Sequence, residues 1–185
     1  MDPFHVVHLA GDALDECRRR TGQELHHRRG RATDPLYNAR RILHTRSCLL
    51  TPRQQQRILD LFTSDCRVAL EVTWSVYQNI IDAYRAPDTS AGKALMQAEI
   101  DRLSDAGVPR SLTELTTLGR TLKRRAGDIL AYFDHPDTSN GPTEAINGRL
   151  EHLRGSALGF RNLTHYITRA LLETGGFRTQ LHPQL

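Results

Sequence analysis

The chain has 185 residues, enough for one hydrophobic core or one core with an appendage. Hydrophobic residues make up 38 % and charged residues 25 %, and no apolar run approaches the roughly 20 residues that span a bilayer, which excludes a helical membrane protein. The net charge of +4 hides an uneven distribution: residues 1–57 carry 11 Arg against 6 acids, residues 58–118 carry 5 basic residues against 9 acids, and residues 119–185 carry 9 against 6. The basic residues are 23 Arg and only two Lys, Lys93 and Lys123. Basic flanks around an acidic middle fit a nucleic-acid site with an appended helical region, and Arg suits bidentate phosphate contacts. A genome rich in G and C would produce the same Arg excess.

No basic segment followed by an apolar stretch opens the chain, so no secretory signal is expected. A cytoplasmic, nucleoid-associated protein is expected. Cys17, Cys48 and Cys66 form no C-x-x-C pair, which argues against structural zinc and for reduced, mostly buried thiols. His26-His27 are adjacent, and neighbours on a helix do not face one point.

In chain order, residues 3–20 read as a helix with Phe4, Val7, Leu9, Ala10, Ala13, Leu14 and Cys17 at apolar spacing; either Thr21-Gly22 weakens or ends it, or the charged residues 23–29 continue it. Arg28-Arg29-Gly30-Arg31 reads as a basic, solvated turn. Residues 36–46 predict a short helix carrying Leu36, Ile42 and Leu43. Thr51 and Pro52 predict the cap and first position of a helix to about Ser64, with Ile58, Leu59 and Phe62 inward and Asp65 capping the next segment. The clearest helix spans 67–85, with Val68, Val72, Val76, Ile80 and Tyr84 in an i+4 row, Leu70, Tyr77 and Ile81 beside it, and Trp74 as a core or interface anchor. Residues 91–106 form another, with Leu95, Ala98 and Leu103 inward, closed by Gly107 and Pro109. Ser111 caps a long helix to about Phe133, on which Lys123-Arg124-Arg125 is either a phosphate contact or a solvated face. His135-Pro136-Asp137 breaks it. Asn162 caps a final helix bearing Leu163, Tyr166, Ile167, Ala170 and Leu171, and Gly175-Gly176 ends it before a disordered tail. No strand and no repeat is predicted.

The run Ser139-Asn140-Gly141-Pro142-Thr143-Glu144-Ala145-Ile146-Asn147 is the most specific motif. Its turn residues break the chain, Pro142 suits the first helical position, and Glu144 falls in the first turn. Glu144, Asn147, Gly148 and Glu151 then share one face, opposite an apolar face of Ile146, Leu150 and Leu153. An acid there stabilises any helix by roughly 0.3–1 kcal/mol, so position alone does not make Glu144 a ligand.

The motif, followed by Gly159-Phe160-Arg161-Asn162, resembles the C-terminal signature of DDE transposases of the ISL-three insertion-sequence family. Met1-Asp2-Pro3-Phe4-His5-Val6-Val7 resembles the family segment holding the second acid. The likeness continues at Leu9-Ala10, Ala13-Leu14-Asp15, Asp34-Pro35-Leu36-Tyr37, Leu50-Thr51-Pro52-Arg53-Gln54 and Leu118-Gly119-Arg120-Thr121-Leu122, nearly the whole chain. It implies a mainly α chain: the C-terminal part of a ribonuclease-H-like DDE catalytic core with a helical insertion, its core strands missing. Residues 1–20 would be a remnant of that core, 21–135 the insertion, 136–177 the C-terminal core helices and 178–185 a tail.

The resemblance also implies Asp2 and Glu144 as catalytic, metal-binding acids for two Mg²⁺ ions, hard cations that take oxygen ligands. Asn140 and Asn147 would support them, and Lys123, Arg124, Arg125, Arg149, Arg154 and Arg161 would contact DNA. The implied partners are transposon ends and target DNA, with a full-length transposase or a second copy as protein partner and no membrane. The family's first Asp, strands and DNA-binding region would precede residue 1, so the expectation is a truncated, inactive fragment. The alternative is a noncatalytic DNA-binding or helical interaction remnant.

Overall fold

The computed structural model describes residues 1–28, 30–63, 67–105, 108–109, 111–135 and 141–174. Among these, every regular element is helical, and no helix is long and apolar enough to cross a membrane. The expected roles of Arg29, Asp65, Cys66, Gly107, Pro136, Asp137, Ser139, Asn140, Gly175, Gly176 and the 178–185 tail lie outside the described residues. The chain divides into two units, Met1–Asp137 and Thr138–Leu185.

In the first unit, α1 runs from Pro3 to His26, started by Asp2, whose Oδ1 accepts the Phe4 N–H at 2.8 Å. It does not weaken at Thr21-Gly22. Both are buried, with Gly22 facing Leu36, so packing overrides local propensity, and α1 ends at His27 in the left-handed region. Its buried stripe is Val6, Ala10, Ala13, Leu14 and Cys17, while Phe4, expected inward, is 67 % exposed. Burial pushes the Cys17 thiol up, outweighing its hydrogen bond with Thr73.

The expected helix at 36–46 is two single turns, α2 (Pro35–Asn38) and α3 (Arg40–Leu43). Arg40 Nη1 donates to the Tyr37 carbonyl, the acceptor that a continuous helix would need for the Arg41 N–H. A short 3₁₀ turn, Ser47–Leu49, follows. α4 (Pro52–Phe62) has the predicted start: Thr51 and Gln54 form a reciprocal capping box. Leu61 rather than Leu59 turns inward beside Ile58.

The central helix α5 (Val68–Tyr84) packs on α1. Its inner face is Leu70, Thr73, Val76, Tyr77, Ile80 and Ala83, rotated from the i+4 row, so that Val68 is exposed. Three of its side chains donate to successive carbonyls at the end of α3 and just after it: Trp74 Nε1 to Leu43 at 3.1 Å, Tyr77 OH to His44 at 3.2 Å and Gln78 Nε2 to Thr45 at 3.1 Å. Gln78 also accepts the Ser47 N–H. A non-helical segment thus meets its backbone hydrogen-bonding requirement from one helix.

α6 (Thr89–Ser104) is capped by Asp88 and buries Met96, Ile100 and Leu103, whereas the expected Leu95 and Ala98 are exposed. The predicted long helix is bent at Arg125 into α7 (Thr113–Arg124) and α8 (Ala126–Asp134), and α7 starts after Leu112 rather than Ser111. The bend seats both ends on α6: Gly119 of α7 lies against Leu103, and Phe133 of α8 lies against Gly92. A Cβ at Gly119 would stand 2.4 Å from the Leu103 carbonyl oxygen, and one at Gly92 would stand 2.5 Å from that of Ala83.

A buried ion pair ties α1 to α7. Arg20 Nε and Nη2 reach Glu114 Oε1 and Oε2 at 2.7 and 3.0 Å, and the Glu114 side chain is 4 % exposed. Burial pushes the Glu114 carboxyl up, but the Arg20 contacts, a backbone N–H and Thr113 together hold it below the ordinary range.

In the second unit, α9 (Gly141–Ser156) and α10 (Leu163–Thr174) form a helical hairpin. Pro142 is the second residue of α9, not the first. The turn uses Leu158 and Gly159 at positive φ, and Asn162 caps α10 as predicted, accepting the Thr164 N–H at 2.9 Å. Leu150 and Leu153 are half-buried, but Ile146 is exposed, and on α10 so are Leu163, Ile167 and Leu171.

This packing sets the expected cost of two substitutions. Gly119→Ala should destabilise the chain by about 1–3 kcal/mol in urea melts, because the overpacking outweighs the roughly 1 kcal/mol gain in helix propensity. Arg20→Ala should cost about 2–4 kcal/mol near neutral pH by leaving the buried Glu114 carboxylate without its guanidinium. The sign is set by linkage. In the wild type, the stabilisation from Glu114 is present above the ordinary carboxyl pKa and is lost as pH falls through the depressed folded value. In the variant burial dominates, so its deficit should shrink as pH falls toward about 4, as pH-dependent melts would reveal.

Candidate nucleic-acid and metal site

Asp2 stands at the N-terminal end of α1, fixed by two uses of its own groups. Its Oδ1 caps the helix, and its carbonyl accepts the His5 N–H at 3.1 Å. Among the described residues its second carboxylate oxygen has no hydrogen-bond donor. The terminal amine of Met1 donates to the Asp128 carbonyl in the first turn of α8. Asp128 also takes Arg125 Nη1 at 3.4 Å. The fold therefore brings the Asp2 end of α1 to the α7–α8 corner, where Lys123, Arg124 and Arg125 are all exposed. No local pattern in the sequence links residues 2 and 125.

The neighbouring wall is aromatic. Tyr84 stacks on Phe133 with centroids 5.2 Å apart and meets Tyr132 edge-on at 5.5 Å. Its hydroxyl is buried with no partner among the described residues. Burial, then Tyr132, then the Asp2 charge push that hydroxyl far up, so Tyr84 is a neutral donor at every physiological pH. Sequence reasoning placed Tyr84 only in a hydrophobic row, and its nearness to Asp2 has no local signature.

In the second unit, Glu144 is exposed in the first turn of α9, near the positive end of the helix dipole. Asn147 is exposed on the same face. Arg149 projects about 140° around the helix from Glu144, and Arg154 lies about 15 Å further along it. Arg154 does meet Arg161: with Phe160, Leu163 and Tyr166 they line a hollow of about 340 Å³ at the α9–α10 turn. Phe160 and Tyr166 pack ring to ring at 5.3 Å, and Arg154 is held by Glu151 at 3.5 Å. Six expected contact residues thus form two clusters and one outlier: Lys123–Arg125 at the Asp2 end of the first unit, Arg154 with Arg161 in the second, and Arg149 apart.

Oxygen donors such as Asp2 and Glu144 suit a hard divalent cation, and Asp2 keeps an oxygen for one. Among the described residues no group of three or more His, Cys, Asp or Glu side chains gathers as a metal site.

The dual role of Asp2 can be separated in the laboratory. Asp2→Asn keeps an oxygen that can cap α1 and should melt within about 0.5 kcal/mol of wild type, whereas Asp2→Ala should lose about 1 kcal/mol, both read from urea midpoints.

A family model described as a transposase, of the ISL-three DDE group, matches residues 1–170. No curated protein and no solved structure matches the chain.

Proposed function

This chain belongs to the ISL-three family of DDE transposases, and on that premise we propose that it takes part in metal-dependent cleavage and transfer of DNA strands. The observation that carries the reading is the span of the family match, which includes both Asp2 and Glu144. DDE transposases use divalent metal ions. Here Asp2 and Glu144 would hold Mg²⁺, which when bound supplies charge stabilisation for in-line attack on a phosphodiester. The chain's own residues supply position. Asp2 is held rigid by its cap, and Glu144 is carried on the first turn of a 16-residue helix. Asn140 and Asn147 would orient Glu144 or touch DNA. Lys123, Arg124 and Arg125 beside Asp2, and Arg149, Arg154 and Arg161 on the hairpin, would grip backbone phosphates.

Taken as the C-terminal part of a ribonuclease-H-like catalytic core with a helical insertion, the chain would meet transposon ends and target DNA on the nucleoid. A second copy or a full-length transposase would be its protein partner. A second reading, DNA binding without cleavage, draws on the exposed Lys123, Arg124 and Arg125, which can hold phosphate without a metal ion.

Filter binding of duplex DNA at several salt concentrations tests the DNA role. Wild type should bind with a steep salt dependence, and Arg149→Ala with Arg154→Ala should weaken it and lower the log–log slope by about 2. Unchanged binding would remove these residues from the interface. The purified chain alone should not nick DNA with Mg²⁺. Nicking that is lost in Glu144→Gln would show that this chain holds a complete site.

A further inference from the structure

We propose that the groove between the C-terminal half of α1 and the segment 30–37 binds the phosphate backbone of duplex DNA. This site lies about 25 Å along α1 from Asp2. The inference rests on the DNA-handling role above and adds to it a contact surface that the family resemblance does not assign.

Charge is the first argument. Residues 18–41 contain eight Arg and two acids, an excess larger than the net +4 of the whole chain. Both acids are already used internally. Glu24 takes Arg20 at 3.0 Å. Asp34 takes both guanidinium nitrogens of Arg28 at 2.8 Å and the Arg31 N–H at 2.6 Å. These contacts hold the Asp34 carboxyl down at about 2, chiefly through Arg28, so it shapes the loop without offering a free acceptor. Arg19 remains outward: its side chain is 65 % exposed, and its carboxylate neighbour, Asp15, is 4.0 Å away and bound more closely by Arg18 at 3.0 Å. Arg31 is exposed, and its guanidinium has no carboxylate partner among the described residues.

Shape is the second argument. The groove measures about 470 Å³, with Arg18, Arg19, Gln23 and His26 on one wall and Gly30, the Arg28-paired Asp34 and Tyr37 on the other, and Arg31 follows Gly30 in the chain at its edge, outside the lining. Glycine keeps one wall open: a Cβ at Gly30 would stand 3.3 Å from the Tyr37 ring. Gln23 and His26 add hydrogen-bonding groups between the cations. One face of the single aromatic ring in the groove, Tyr37, is already taken by Arg40 at 4.3 Å from its centroid. Several cations against at most one open ring face suit duplex phosphates better than unpaired bases.

Fluorescence anisotropy of the full chain with a short labelled duplex, over several salt concentrations, tests the site. The double variant Arg19→Ala/Arg31→Ala should bind about tenfold more weakly, with a log–log salt slope smaller by about 2. Gly30→Val, which fills the groove without changing charge, should also weaken binding. Circular dichroism melts matching wild type would establish that the variants are folded, and the exposed Arg pair carries the test if Gly30→Val does not fold. The Arg pair should matter several-fold less for a single strand of the same sequence.

Wild-type duplex binding with unchanged affinity and slope in the double variant would overturn this site and leave the DNA role standing. Equal loss on duplex and single strand would overturn the duplex assignment. A wild-type chain that binds no DNA even at low salt would overturn both this site and the DNA role.

Discussion

The bidentate contact between Arg20 and Glu114 sets the placement of α1, and both candidate surfaces of the first unit depend on α1. Apolar burial fixes the face a helix turns inward but resists sliding along the axis only weakly, whereas two paired hydrogen bonds to a buried carboxylate fix register as well. From that anchor α1 extends one way to Asp2 and the α8 contact, and the other way to the wall of the basic groove. A pair this buried gains little net stability over an apolar pair, so its value lies in position.

The packing around that anchor relies on absent side chains as much as present ones. Gly92 and Gly119 let α6 approach α5 and α7 to distances that no Cβ allows. The bend at Arg125 lets α7 and α8 both reach α6, and it also puts Asp128 beside Met1. The corner that unites Asp2 with Lys123–Arg125 is thus a by-product of helix packing. On the other side, Trp74, Tyr77 and Gln78 hold the carbonyls of residues 43–45, which steadies the segment leading from α3.

Much of this was legible in the sequence, for identifiable reasons. Caps are local, so Thr51-Pro52 and Asn162 predicted helix starts that the structure has. Periodicity located α5 and α6 to within about two residues. It located Leu70 and Tyr77, both buried, on the apolar side of α5, but Val68, Leu59 and Leu95 are exposed while Leu61 and Met96 are buried, because tertiary neighbours decide which part of an apolar face turns inward. The break at Ala39 was hidden because it depends on one Arg40 side chain taking a backbone acceptor. The family was readable from the Glu144 motif and from Asp2, but the company that Asp2 keeps was not. Tyr84 lies within reach of its charge and Asp128 meets the neighbouring Met1, although both are far from Asp2 in the chain.

The central proposal is that Asp2 and Glu144 both serve metal binding in DNA strand transfer, the role proposed for them above. Titration of Mn²⁺ into the full chain with duplex DNA, read by electron paramagnetic resonance of the free ion, tests it with Asp2→Asn, Glu144→Gln and the double variant. If both acids bind metal, each single change weakens Mn²⁺ binding strongly, and the double variant binds no better than either single one. A single variant that binds Mn²⁺ as wild type does would contradict the proposal.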